Sequence, residues 1–185
     1  MGTSKALLDA SAGETFVARL LAALREGGVR DPIVVGRTGD DPLRREVESH
    51  GGAYVVNTEA DTGGQISSLL AGLAAVDRAE VRGVLMIPVD TPLVRRSTIA
   101  TLLAVFDATL APVVRPRYQA RHGHPVIFSR AVFDELRRAD PDSGAKAVLR
   151  AHATGIVNVD VDDPGVLADL DTPEAYRAAF GRDPQ

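Results

Sequence analysis

Residues 83–92 read Gly83-Val84-Leu85-Met86-Ile87-Pro88-Val89-Asp90-Thr91-Pro92, a short apolar run that stops on a carboxylate set between prolines. Such a run is typical of a central strand covered on both faces, as in a parallel sheet. Strands and helices alternate on either side of it. Upstream, Phe16, Val17, Leu20, Leu21 and Leu24 mark one face of a helix over 15–26, closed by Gly27-Gly28. Residues 32–36 and 53–57 read as short strands around a charged helix at 43–50. Ile66, Leu69, Leu70, Leu73 and Val76 mark a further helix. Downstream, Ile99, Leu102, Leu103 and Phe106 mark another. Residues 112–114 and 125–128 read as strands joined by a basic loop, an antiparallel addition. Helices follow around 132–136 and 145–152, then a last strand at 156–161 and a closing helix at 173–180 with proline in its first turn. This alternation predicts an α/β fold with a mainly parallel sheet.

A chain of 185 residues, 45% hydrophobic, has enough apolar surface for one domain with its own core. The net charge of −4 gives no overall basic field, which argues against a nucleic-acid partner. Cysteine is absent, so disulfides, thiolate catalysis and cysteine metal sites are excluded, and a reducing, cytoplasmic setting fits. The apolar stretch at 84–89 is too short to span a bilayer, so no membrane partner is expected. Asp9 and Gly13 interrupt any apolar signal core near the N-terminus.

Ligands of open α/β sheets bind beyond the carboxyl ends of the strands. Three stretches fall there. Asp90 is placed to hold Mg²⁺, a hard cation that favours carboxylate and phosphate oxygens, or simply to order a turn. Gly63-Gly64-Gln65-Ile66-Ser67-Ser68 follows Asn57, and its glycines and free amides suit an anion; Thr62 and Gln65 also have the spacing of a capping box. In the third stretch, Asp169-Leu170-Asp171-Thr172-Pro173-Glu174, Asp171 reads as a helix cap or as a second metal carboxylate facing Asp90. Between two expected strands, Arg115, Arg117, Arg121, His122 and His124 form either a solvated loop or a seat for an anionic substrate. Ser143-Gly144-Ala145-Lys146 offers amides and a lysine at a helix start, with Ser143 as the ordinary cap. Walker A, dinucleotide-binding, Gly-x-Ser-x-Gly and His-Glu-x-x-His motifs are all missing.

Taken in order, Lys5-Ala6-Leu7-Leu8, Val56-Asn57, the segment 64–73, Pro88-Val89-Asp90-Thr91-Pro92-Leu93-Val94, Gly123-His124-Pro125-Val126-Ile127-Phe128, Asp142-Ser143-Gly144-Ala145-Lys146 and Asp171-Thr172-Pro173-Glu174 resemble the MobA-like nucleotidyltransferases. The resemblance covers nearly the whole chain. The Ser67-Ser68-Leu69 and Gly123-His124-Pro125 versions favour the molybdenum-cofactor cytidylyltransferase branch over the guanylyl branch. It implies a single Rossmann-like, three-layer α/β/α domain over 1–185. The implied reaction is transfer of a nucleoside monophosphate, CMP from CTP, to a phosphorylated acceptor of the molybdopterin type, with release of pyrophosphate.

The same resemblance distributes the roles. Asp90 and Asp171 carry Mg²⁺, Lys5 meets the triphosphate, and Lys5 and Asp90 are the catalytic residues. Asn57, Gly64, Ser67 and Ser68 hold the nucleotide. Arg117, Arg121, His124, Ser143 and Lys146 face the acceptor, and a molybdoenzyme is the implied protein partner. Two departures are Lys146, where the family often has arginine, and Ala175, where an acidic residue is common. The family also opens with a strand and a glycine-rich phosphate loop, and Met1-Gly2 align with the end of that loop. An open slot between the strands near 33–36 and 84–89 would fit an N-terminally truncated enzyme, and a closed sheet there a shortened relative. Other functions open to this scaffold are a non-catalytic nucleotide- or cofactor-binding paralogue and a sugar-phosphate nucleotidylyltransferase.

Overall fold

Strand faces and helix placement follow the two periodicities of the sequence. A computed structural model describes residues 4–11 and 13–184. After a 3-10 turn at Lys5–Leu7, the strands are β1 (Asp9–Ser11), β2 (Glu14–Thr15), β3 (Ile33–Arg37), β4 (Ala53–Asn57), β5 (Gly83–Met86), β6 (Val113–Tyr118), β7 (Arg121–His122), β8 (Val126–Ser129) and β9 (Ile156–Asp160). The helices are α1 (Phe16–Glu26), α2 (Asp41–Ser49), α3 (Gly64–Val76), α4 (Arg96–Thr109), α5 (Phe133–Arg138), α6 (Ala145–Ala151) and α7 (Pro173–Phe180). None of the described helices is long and apolar enough to cross a membrane.

β6 is the centre of the main sheet. It pairs with β8 and β7 on one side, both antiparallel, and with β9 on the other, parallel. β8 pairs antiparallel with β5. Hence β5, β6 and β9 run the same way and end at the same edge, with β8 and β7 as the antiparallel additions. β3 and β4 form a separate parallel pair in the register Ile33↔Ala53 to Arg37↔Asn57.

Alternation along the strands builds the layers. Val113 and Phe128 pack with Leu73 of α3, Phe133 and Leu136 of α5 and Val148 of α6. Their neighbours Val114 and Ile127 face the other way, onto Leu102 and Phe106 of α4. Val17 and Leu21 of α1 join Leu43 and Val47 of α2 beside Val34 of β3. The result is the expected three-layer α/β/α arrangement.

The strand at 83–86 differs from its sequence reading in one respect. It has a ladder partner on one side only among the described residues, because β8 takes one edge and nothing joins the other to β3. A cleft of about 280 Å³ lies between Val34, Val35, Gly36 and Arg37 on one wall and Val89 on the other, with Ser4 and Ala6 also lining it. No described strand lies between β3 and β5, and Met1 and Gly2 lie outside the described residues.

Candidate active site

β5 and β9 deliver their following loops to the same edge of the sheet. Leu170 donates its amide to the Asp90 carbonyl at 2.9 Å, which ties the two loops together. The Leu170 side chain is buried with Leu8, Phe16 and Tyr176. Its neighbours Asp169 and Asp171 stay exposed, as alternation in an extended segment requires. Asp90, Asp169 and Asp171 each present a carboxylate oxygen within 4.8 Å of the others. Lys5 completes the group through an ion pair from its Nζ to Asp171.

The electrostatics follow from that crowding. Burial, then the charges of Asp169 and Asp171, push the Asp90 carboxyl up to about 6, with Lys5 opposing. Burial and the Asp171 charge also raise Asp169. Asp171 moves the other way, because the Lys5 hydrogen bond holds its charged form. Lys5 is raised in turn, first by that hydrogen bond.

Capping explains why Asp171 is free. The helix it precedes is capped by Thr172, whose Oγ1 accepts from the Ala175 amide at 3.1 Å. Asp171 is therefore not spent on α7, contrary to the simplest reading of the sequence.

A buried carboxylate holds the frame. Asp163 is 2% exposed. It accepts hydrogen bonds from the Arg95 amide at 2.9 Å, the Thr98 hydroxyl at 2.6 Å and the Gly165 amide at 2.9 Å. The start of α4 is thereby locked to the segment that carries Asp169 and Asp171. Close backbone approaches reinforce this lock. A Cβ on Gly165 would lie 2.2 Å from the Leu93 carbonyl, and one on Gly123 would lie 1.9 Å from the Val166 carbonyl. The His124 amide also donates to Val166 at 2.9 Å.

The residues expected on the nucleotide side come together at the end of β4. Asn57 is 4% exposed. Its Nδ2 donates to the hydroxyls of Ser67 at 2.8 Å and Ser68 at 3.1 Å, while its Oδ1 accepts from the Glu59 amide at 2.9 Å. Both amide hydrogens are thus engaged inside the protein, and Asn57 supports Ser67 and Ser68 from below. Gly64 opens α3 and borders open space. The Thr62–Gln65 capping box does not form: Gly63 is the N-cap and no side chain caps the helix.

The residues expected on the acceptor side are more dispersed. Arg117 closes both arms of its fork on Asp160, at 2.6 and 2.7 Å. Arg121 is exposed at the hairpin, paired in register with Tyr118. The half-buried His124 has its Nδ1 enclosed without a hydrogen-bond partner among the described residues. Burial lowers its pKa. Ser143 does not cap α6, whose N-cap is Gly144; Lys146 is exposed on its first turn. Gly144 abuts Ile66, so α6 starts beside the start of α3.

Two residues of the site were given no role by the sequence. Asp169 was legible in principle, because two carboxylates two residues apart in an extended stretch share a face. Asp163 carried no signal, since an aspartate before Pro-Gly reads as a turn residue.

Comparison with known proteins supplies the class. The profile of the MobA-like NTP transferase domain matches residues 1–156, and the chain belongs to that family of nucleotidyltransferases. No curated protein matches the chain. Among solved structures, Rv0371C of Mycobacterium tuberculosis H37Rv in complex with manganese is 27% identical, with a TM-score of 0.77 over 98% of this chain and 94% of that one. The molybdopterin-guanine dinucleotide biosynthesis protein A of Archaeoglobus fulgidus is 14% identical, with a TM-score of 0.66 over 97% and 90% of the two chains. CMP:2-keto-3-deoxy-manno-octonic acid synthetase complexed with CTP is 18% identical, with a TM-score of 0.71 over 96% and 90%. The last two share the fold.

The donor set fits a divalent cation. All three groups are carboxylates, the ligands that Mg²⁺ and Mn²⁺ favour, and among the described residues Lys5 is the ammonium that pairs with them.

Proposed function

We propose that the protein transfers CMP from CTP to a phosphorylated acceptor of the molybdopterin type and releases pyrophosphate. The observation that carries this reading is the meeting of Asp90, Asp169 and Asp171 at the ends of two parallel strands, with Lys5 against them. A phosphate oxygen of the acceptor attacks the α-phosphorus, the α–β bridging bond breaks, and pyrophosphate leaves. Such transfers rest on positioning and charge neutralisation.

Asp90, Asp169 and Asp171 would hold Mg²⁺ or Mn²⁺, and the bound ion would supply charge neutralisation at the triphosphate oxygens. The carboxylates set where the triphosphate can lie. Lys5 adds a mobile positive charge that exchanges Asp171 for a phosphate oxygen. Ser67 and Ser68, braced by Asn57, and the open backbone at Gly64 meet the nucleotide. Arg117, Arg121, His124, Ser143 and Lys146 line the acceptor side, and a molybdoenzyme receives the product in a cytoplasmic setting.

The test is a screen of the four common NTPs with Mg²⁺ or Mn²⁺ and molybdopterin, read as pyrophosphate release. Release with CTP ahead of the others supports the reading. Release only with a sugar phosphate as acceptor would move it to that class. Nucleotide binding without release from any acceptor would replace it with a non-catalytic binding role.

A further inference from the structure

The face of β6 that carries Val113 also carries Arg115 and Arg117, because Val114 faces α4. The ladder beside them is irregular. Val114 pairs with Ile127, but Arg117 pairs with His122. Two residues on β6, Arg115 and Pro116, therefore face four on the returning chain, Gly123, His124, Pro125 and Val126. This bulge falls opposite Arg115 and Pro116, with the charge of Arg115 felt at the neighbouring His122 imidazole, and bulges of this kind re-aim side chains near sites.

The two arginines are in different states. Arg117 is neutralised by its two hydrogen bonds to Asp160. Arg115 meets no carboxylate among the described residues. Its Nε donates to Asn158 Oδ1 at 2.8 Å, its register partner on β9, which fixes the plane of the fork; the terminal nitrogens have no hydrogen-bond partner among the described residues. The group is half-buried, so it has given up part of its hydration without gaining a counter-ion among the described residues. Resting on the acceptor reading above, we infer that Arg115, oriented by Asn158 and faced by the His124 bulge, seats an oxyanion of the acceptor. A planar fork with free arms matches a phosphate or a carboxylate, and Asn158 neutralises none of its charge. The seat lies two strands from β5, about 10 Å across the sheet, which suits an acceptor that reaches from the carboxylates to a second polar contact.

Inorganic phosphate and acetate, titrated separately into the full chain, test this by NMR of the Arg115 Nε–H and the rings of His122 and His124. A saturable shift with one or both anions, lost in Arg115→Met and weakened in Arg115→Lys, is the expected result, and the more effective anion names the group. In turnover, Arg115→Met should raise the acceptor KM about tenfold to a hundredfold, with Mn²⁺-CTP affinity unchanged. Shifts that persist in Arg115→Met, or no saturable shift with either anion, would overturn the seat. If Arg115→Met does not fold by circular dichroism, Asn158→Ala takes its place, and an unaltered phosphate response there would count against the assignment. Failure of the wild-type protein to bind Mn²⁺-CTP would instead sink the transfer reading and leave the anion titration to decide the seat.

Discussion

Leu170 gives its backbone amide to the carbonyl of Asp90 at 2.9 Å, and this single bond brings the carboxylates of two distant loops to one place. Leu170 is anchored by burial against Phe16 and Tyr176, so Asp169 and Asp171 are held by an apolar side chain between them. Removing that anchor should loosen the site before it unfolds the protein. Leu170→Ala is expected to cost about 2–4 kcal/mol of stability in urea titration. Mn²⁺ affinity should fall in conditions where the variant is still folded.

Asp163 should be costlier than its position in a turn suggests. Asp163→Ala strands the Arg95 amide, the Thr98 hydroxyl and the Gly165 amide, and is expected to destabilise by about 3 kcal/mol or more. Asp163→Asn keeps an acceptor oxygen and should lose less. Denaturant midpoints of the two variants check the order.

Crowded carboxylates trade stability for ligand binding. Asp90→Asn removes a charge that burial, Asp169 and Asp171 all disfavour. The metal-free variant should therefore melt at or above the wild-type temperature at neutral pH, even though it loses the cation. A lower melting temperature would show that the Asp90 charge is needed for folding rather than for binding.

His124 gives the acid limb of stability a local source. Burial lowers its folded pKa below the unfolded value, so the folded state binds the proton less readily. Its contribution is fully present above the unfolded histidine value, about 6.5, and is lost as pH falls through the folded pKa. The loss of stability between pH 7.5 and pH 5.5 should be smaller in His124→Gln than in the wild type. Parallel urea titrations at the two pH values measure the difference.

The broken sheet predicts uneven protection. β6 is paired on both sides, whereas β5 and β3 each keep one edge without a ladder partner among the described residues. Hydrogen exchange should be slowest in β6 and faster in β5. Equal protection of the two strands would contradict the split.

Most helices and strands were legible from the sequence, because Leu102 and Phe106 recur with helical period and Val113 and Val114 alternate across a sheet. The misreadings have physical causes. Arg115-Pro116-Arg117 looked like a loop, since charges and a proline are poor strand residues. Arg115 and Arg117 are accommodated by Asn158 and Asp160 in register on β9, and Pro116 lies at a bulge. The strand at 83–86 seemed central because its residues are apolar on both faces, yet composition is silent about which edge finds a partner. Asp90 and Asp171 were found by their place at strand and helix ends. Asp169 and the brace at Asp163 needed the fold, because their partners lie far away in sequence.

Binding of Mn²⁺ in the presence of CTP, followed by electron paramagnetic resonance, tests the proposed centre most directly. One Mn²⁺ site is expected in the wild type, weakened about tenfold or more by each of Asp90→Asn, Asp169→Asn and Asp171→Asn. Unchanged Mn²⁺ affinity in all three variants would contradict a metal centre built from these carboxylates.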